Sequence, residues 1–331
     1  MSADLSSGVI EIFSTDSAFA ALKSDGSVVT WGLESQGAGD SSSVSSELSS
    51  GVIDIYSTRY AFAALKSDGS VVTWGEPLSN IGNVGGDSSA VSADLSSNVI
   101  DIYSSWYAFA ALKSDGSVVT WGDSVRGADS SSVSSDLSSD VIDIVSAYTS
   151  STGAFAALKS DGSVVTWGSG SGGDSSSVSS DLSSGVIEIY GTEFSFAALK
   201  SDGSVVTWGA ADSSSVSSEL SSGVIEIYTT GRAFAALKFD GSVVTWGSNH
   251  GGDSSSVSSE LSSGVIDIYA TFGAFAALKS DGSLVTWGWS QGASSSENYG
   301  GDSSAVSSDL AASVIINIYS TRTAFAAIIE I

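Results

Sequence analysis

Few residues in this chain could move protons or attack a carbonyl, and their spacing decides what they are for. The one histidine, His250, stands in a Ser-Asn-His-Gly-Gly loop. An imidazole works as a general base when a second group orients it, and as a metal ligand when another ligand lies nearby in a fixed spacing. Neither accompanies His250, so an exposed loop histidine is the expected state. The chain has no cysteine, which removes thiolate nucleophiles, thiolate metal sites and disulfides while fitting either redox compartment. Serines are plentiful, but no Gly-x-Ser-x-Gly elbow lies between a strand and a helix, and Ser-Gly-Ser-Gly-Gly at 169–173 is a weak loop match. No phosphate loop of the Gly-x-x-x-x-Gly-Lys-Ser/Thr type is present.

One patterned group does contain an acid and a base. Lys-Ser-Asp-Gly, as at Lys66–Gly69, recurs through the chain, with Phe239 as the one departure from its serine. A catalytic site gathers different groups at one point, whereas near-identical copies imply near-identical environments, so a repeated turn is the better reading. Calcium loops need several oxygen ligands at close spacing, and Lys-Ser-Asp-Gly-Ser and Gly-Gly-Asp-Ser-Ser-Ser each offer one carboxylate. Asp54, Asp101, Asp143, Glu188, Glu226 and Asp267 recur at one register. They could ring a cation, but crowded like charges repel, which favours carboxylates that face solvent or cap neighbouring amides. No enzyme, no catalytic residue, no metal and no cofactor is expected.

The elements that position these residues are announced by repetition. The phrase Ala-Phe-Ala-Ala-Leu-Lys-Ser-Asp-Gly-Ser-Val-Val-Thr-Trp-Gly returns with its Trp at 31, 74, 121, 167, 208, 246 and 287, at spacings of 38 to 47 residues. Repeats begin near 9, 52, 99, 141, 186, 224 and 265, with a truncated one at 314. Each complete unit reads as three strands. In the second unit these are Val52–Ser57, Ala61–Lys66 and Ser70–Gly75, which we term leading, middle and trailing. Gly69 is expected to take the positive φ of the hairpin between the last two. The middle strand is short and apolar on both faces, so it is predicted to be buried on both sides by neighbouring sheets. Asp40–Gly51, with Val44 and Leu48 on one face, reads as either an outer strand or a short capped helix, the latter favoured by Glu47 and Gly51. These features predict an all-β protein, a single β-propeller domain over 1–331 built from repeats of about 43 residues.

An aliphatic leading strand, a small-residue strand ending Ala-Leu-Lys, then Asp-Gly and Val-Val-Thr-Trp-Gly resemble the repeat of the regulator-of-chromosome-condensation superfamily. The short unit resembles that superfamily's bacterial β-lactamase-inhibiting propellers. The resemblance spans essentially the whole chain and implies a β-propeller that binds proteins. The chain departs from the family pattern at the start of the middle strand, where Ala61-Phe62 replaces the common Gly-Gly-x-His-Ser/Thr, so nucleotide-exchange and chromatin roles do not carry over. The family implies seven blades, whereas the leading and middle strands occur eight times and the trailing strand seven. Eight pairs would close an eight-bladed ring with an incomplete last blade; in a seven-bladed ring the surplus hairpin would pair with a neighbouring molecule.

Composition bounds the partners. A content of 42% hydrophobic residues with nine Trp, ten Tyr and twelve Phe is ample for a core. The formal charge of -26 repels nucleic acid and anionic membranes; it suits solubility or a salty medium, or attraction of basic partners and cations. No apolar run approaches the roughly 18 residues of a membrane span. The opening residues lack the basic and apolar regions of a signal peptide. Ser2–Gly8 copies the middle of a later repeat, Ser92–Asn98, as expected of a piece of a longer chain. On that expectation an extracellular or cell-surface location is favoured.

Within this repetition, variation is concentrated in two loop sets, which a meander places at the same edge of the sheets. One is the turn from leading to middle strand, carrying Arg59, Tyr60, Trp106, Tyr107, Tyr148, Glu193, Phe194, Arg232, Phe272 and Arg322. The other follows Trp-Gly and carries Arg126, His250, Trp289, Asn298 and Tyr299. Ser-rich returns at the opposite edge are copied almost verbatim. All four arginines fall in the variable loops, and Trp, Tyr, Phe and Arg are the residues of binding hot spots and paratopes. A set of exposed cationic and aromatic anchors for a protein partner is the leading expectation. The alternatives are a structural or cell-surface protein that self-associates through residues 314–331, and a lectin with aromatic platforms for sugars.

Overall fold

In this computed structural model, residues 5–33, 39–75, 83–149, 151–249, 251–289, 300–301, 303 and 314–330 are described. The chain forms two compact units, Met1–Asp174 and Ser175–Ile331. The first holds the meanders Val9–Ser14, Ala18–Lys23, Val28–Gly32; Val52–Ser57, Ala61–Lys66, Val71–Gly75; Val99–Ser104, Ala108–Lys113, Val118–Gly122; and Val141–Tyr148, Gly153–Lys159, Val164–Gly168. The second holds Val186–Gly191, Ser195–Lys200, Val205–Gly209; Val224–Thr229, Ala233–Lys238, Val243–Gly247; Val265–Ala270, Ala274–Lys279, Leu284–Gly288; and a hairpin, Val314–Ser320 with Phe325–Glu330. Each complete repeat is one three-stranded antiparallel sheet, and the last is two-stranded. The fold is all-β, and each three-stranded meander is a sheet of the kind that serves as a β-propeller blade, as the sequence predicts.

The register explains the packing. In the second repeat Phe62 lies opposite Trp74, and their rings stack at 5.1 Å. Phe62, Ala64, Ile55 and Trp74 share one face with Leu48 and pack on Ala18, Ala20 and Leu22 of the repeat before. Ala61, Ala63 and Leu65 point the other way, beneath Ile102, Phe109 and Trp121 of the repeat after. Each blade therefore has a bulky face and a small-residue face, and a junction inserts one into the other. The same junction recurs between the third and fourth repeats and, in the second unit, between the fifth and sixth and the sixth and seventh. The middle strand is buried on both faces as expected, with Ala61 to Ala64 fully enclosed.

Asp40–Gly51 takes the helical rather than the strand form, as two single-turn 3-10 helices, Ser42–Val44 and Glu47–Ser49, but without the expected side-chain caps. Its serines instead bond locally, as Ser49 Oγ does to the Ser46 carbonyl at 2.7 Å, and this competition with the backbone suits short turns better than an α-helix. Leu48 is the buried anchor of the segment. Lys66 Nζ donates to the Glu47 carbonyl at 2.8 Å, fastening this return to the hairpin. Gly69 has φ +77°, and a Cβ there would meet the Asn98 amide nitrogen at 2.7 Å, so both the turn and the close approach require glycine. Asp68 accepts from the Ser70 amide at 3.0 Å and its hydroxyl at 2.6 Å. Those bonds hold its carboxyl below its ordinary pKa, the Ser70 hydroxyl contributing most. Lys-Ser-Asp-Gly is thus a turn in structure as in sequence.

Candidate functional site

The turn between leading and middle strands is built on a residue common to the repeats. Thr58 donates its N–H to the Ala61 carbonyl at 2.9 Å, and its Oγ1 accepts the Ala61 N–H at 3.1 Å. Ser105 and Thr230 clasp Ala108 and Ala233 in the same way. The hydroxyl closes the turn through local bonds and leaves the two residues between, such as Arg59 and Tyr60, free to vary without altering the frame. The turns are also tied to one another through the backbone. In the first unit Asp16 N–H donates to the Arg59 carbonyl and Arg59 N–H to the Trp106 carbonyl, at 3.1 and 2.9 Å. In the second, Glu193, Gly231 and Phe272 donate in succession to Gly231, Phe272 and Arg322 at 2.8 to 2.9 Å.

This chain of bonds brings the first unit's variable residues into one cluster. Arg59 is its centre: Nε donates to Asp16 Oδ2 at 2.6 Å and Nη1 to the Tyr107 hydroxyl at 3.2 Å. Its guanidinium lies 5.2 Å from the Tyr60 ring centre and 5.1 Å from that of Trp106. The hydrogen bond to Asp16, followed by that to Tyr107, raises its pKa further. Trp106 meets Tyr107 edge-on at 6.3 Å and Tyr148 at 6.2 Å, while Tyr60 and Tyr107 are 6.1 Å apart. Arg126 stacks on Tyr107 at 5.0 Å and pairs with the buried Asp123, which also caps the turn Ser124–Arg126.

Two smaller groups occupy the second unit. Arg232 Nε pairs with Glu193 Oε2 at 2.7 Å while its guanidinium sits 5.3 Å from the Phe194 ring centre. Arg322 stacks on Phe272 at 4.8 Å, and that ring covers Gly231, where a Cβ would approach it to 2.5 Å. Trp289 is half-buried and donates its N–H to the Gly273 carbonyl at 2.9 Å. His250, Asn298 and Tyr299 lie outside the described residues.

These contacts revise four expectations. Tyr107 is not an exposed anchor: it is 3% exposed, covered by Arg59 and Arg126, and acts as the floor of the patch. Trp106 is half-buried rather than fully exposed. Tyr148 ends the leading strand Val141–Tyr148 rather than lying in the turn beyond it. Nor are the arginines bare cationic anchors, because Arg59, Arg126 and Arg232 each pair with a carboxylate of the same unit. What the patch offers outward is aromatic surface with its charges internally matched.

The carboxylates of the leading strand do a different job. Asp101 Oδ1 accepts from the Tyr56 hydroxyl of the preceding repeat at 2.8 Å and from the Ile102 N–H at 2.7 Å. Asp143 does the same with Tyr103 and Ile144, and Asp267 with Tyr228 and Ile268. They cap amides, as the sequence favours, and also link blades, which it does not reveal. Among the described residues no group of three or more His, Cys, Asp or Glu is placed to hold a metal ion.

No protein-family model matches the chain, and no curated protein does. Among solved structures it is similar to the ectodomain of the Physcomitrella patens receptor kinase CR4, at 13% identity and TM-score 0.43, over 85% of this chain and 73% of that one. It is similar to yeast RCC1 (Prp20) in its structure with Kap60, at 17% identity and TM-score 0.43, over 73% and 70%. The ectodomain of the Arabidopsis thaliana receptor kinase ACR4 aligns at 16% identity and TM-score 0.39, over 72% and 81%. Each complete repeat is a three-stranded antiparallel meander, and a shared fold by itself carries no function.

Proposed function

We propose that this chain is a non-catalytic binding scaffold that recognises a protein partner through the aromatic and arginine patch of its first unit. The observation that carries the reading is the bracketing of Arg59 between Tyr60 and Trp106, with Asp16 and Tyr107 fixing the guanidinium. Rigid Trp, Tyr and Arg groups held in place before binding lose little entropy on association, which is how hot spots gain their affinity. Because the patch arginines are neutralised within the unit and the body carries a charge of -26, the fitting partner has an apolar centre and a basic rim.

The test is affinity capture from the native medium with the wild type beside a Trp106→Ser, Tyr148→Ser double variant. Both side chains are partly exposed, so the variant is expected to stay folded. A protein retained by the wild type and lost by the variant supports the reading. Capture indifferent to the change, with both proteins folded, defeats it.

A further inference from the structure

Between the third and fourth repeats the first unit holds a cleft of about 340 Å³, at the lower end of the range for small-molecule sites. Two variable loops wall it: Ser124 and Val125 of the turn Ser124–Arg126 on one, Ser169 and Gly173 on the other. The buried Trp167 lines it from the core side, and Asp129 and Ser132 of the serine-rich return complete it. Its walls are braced by bonds within the unit. Asp123 Oδ1 accepts from the Val125 and Arg126 N–H groups at 2.9 and 3.1 Å, fixing the first loop. Thr166 Oγ1 donates to the Gly173 carbonyl at 3.3 Å, tying the second loop to its strand. Trp167 Nε1 donates to the Gly127 carbonyl at 3.0 Å, and Asp129 Oδ1 accepts the Ser131 N–H at 3.0 Å. A cleft held in this way loses little entropy when a ligand enters.

The lining selects a class of ligand. Apart from Val125, which is 65% exposed, the exposed side chains of the cleft are serine hydroxyls and the Asp129 carboxylate. A serine hydroxyl both donates and accepts, and a carboxylate only accepts, so the complementary ligand carries several hydroxyl groups and turns O–H donors towards Asp129. A carboxylate on a chain of charge -26 disfavours phosphate, sulfate and uronic acids. One carboxylate, beside a Trp167 whose ring is buried, gives a cation no selective hold. We infer that this cleft binds a neutral hexose, with Asp129 and Ser132 bonding its hydroxyls and Val125 covering its C–H face. The Asp-Ser-Ser-Ser segment at 129–132 is copied along the chain, whereas the loops at 123–128 and 169–173 are not. The frame supplies the hydroxyls and the loops supply the shape. Arg126 stacks on Tyr107 in the aromatic patch instead of lining the cleft, so this site is separate from the surface proposed for a protein partner.

Ligand-observed NMR titration of the whole chain tests this, with glucose, galactose and mannose, each as the free sugar and as its methyl glycoside, up to about 20 mM. Methyl glucuronide is the anionic comparison. At least one neutral sugar should saturate with a Kd between about 0.1 and about 10 mM, as suits a ligand of this size, and the glucuronide should bind about tenfold more weakly or worse. Binding by either form supports the class, and the stronger of the two forms tells a free sugar from the end of a glycan. Ser132→Trp fills the cleft from an exposed position and should abolish binding, with melting curves verifying that the fold is kept. Asp129→Asn keeps an acceptor for the Ser131 N–H but leaves no second acceptor oxygen, and should weaken binding about tenfold. No saturation by any neutral sugar, equal binding of the glucuronide, or full-strength binding by either variant overturns the inference.

Discussion

Arg59 shows how one side chain can hold a surface together without being buried. Its ion pair with Asp16 lies between partly exposed groups and so contributes little alone, while stacking on Tyr60 and Trp106 adds a packing component that water screens less. Arg59→Ala is expected to lower stability by about 1–2 kcal/mol in urea unfolding. Arg59→Lys should recover less than half of this, because an ammonium cannot reproduce a planar group that bonds at its edge and stacks on its face. Full recovery by lysine would show that charge alone matters. The sequence makes these residue types legible as anchors, but not their pairing. Asp16 is 43 residues from Arg59, and only the backbone link between successive turns makes them neighbours. Thr58 was legible and overlooked: a Ser or Thr precedes the variable pair in the repeats, the signature of a side-chain-closed turn.

The blade itself could be read almost residue by residue, since the leading strand, the middle strand and the Asp-Gly turn fall where alternation and β-branching place them. Trp-Gly was legible as framework, but not the reason that its indole tolerates variable loops. Trp121 Nε1 donates to the Gly85 carbonyl at 3.1 Å, from a loop of the preceding repeat. Gly85 has φ +105° and sits where a Cβ would come within 2.6 Å of the Phe109 ring. The loops vary around a glycine of this kind, as Trp167 with Gly127 and Trp287 with Gly251 repeat. The 3-10 returns were less legible, because serine-rich sequence bonds to its own backbone and carries no periodicity to read. Trp121→Ala removes a buried indole stacked at 5.0 Å on Phe109 and should cost about 3–5 kcal/mol. The half-buried Trp106 should cost clearly less on the same change, so equal unfolding shifts for the two variants would abolish the division between frame and patch.

Across the chain, acidity has two opposed effects on stability, and the pH dependence separates them. A charge of -26 repels itself at neutral pH, so protonation would relieve strain on the folded state. The hairpin aspartates pull the other way: serine hydroxyls and amides hold Asp25, Asp68, Asp115, Asp161, Asp202, Asp240 and Asp281 below their ordinary pKa. A depressed folded-state pKa adds stability that is present above the unfolded value, about 3.9, and is lost as pH falls through the folded one. The tyrosines linking blades behave in the opposite sense. Burial foremost, together with the neighbouring Asp and Glu, raises the pKa of Tyr56, Tyr103, Tyr190 and Tyr228. Their contribution is full below the unfolded value near 10 and is lost as pH rises towards the folded one. The urea midpoint, measured at constant ionic strength, should therefore hold a plateau from about pH 5 to about pH 9 and fall on both sides. In Tyr56→Phe the alkaline fall should be shallower, since one linked hydroxyl no longer ionises on unfolding. A midpoint that climbs steadily from pH 5 down to about pH 3 would show that relief of repulsion outweighs the turns, and that the repeated Asp-Gly-Ser hairpin contributes shape without charge-dependent stability.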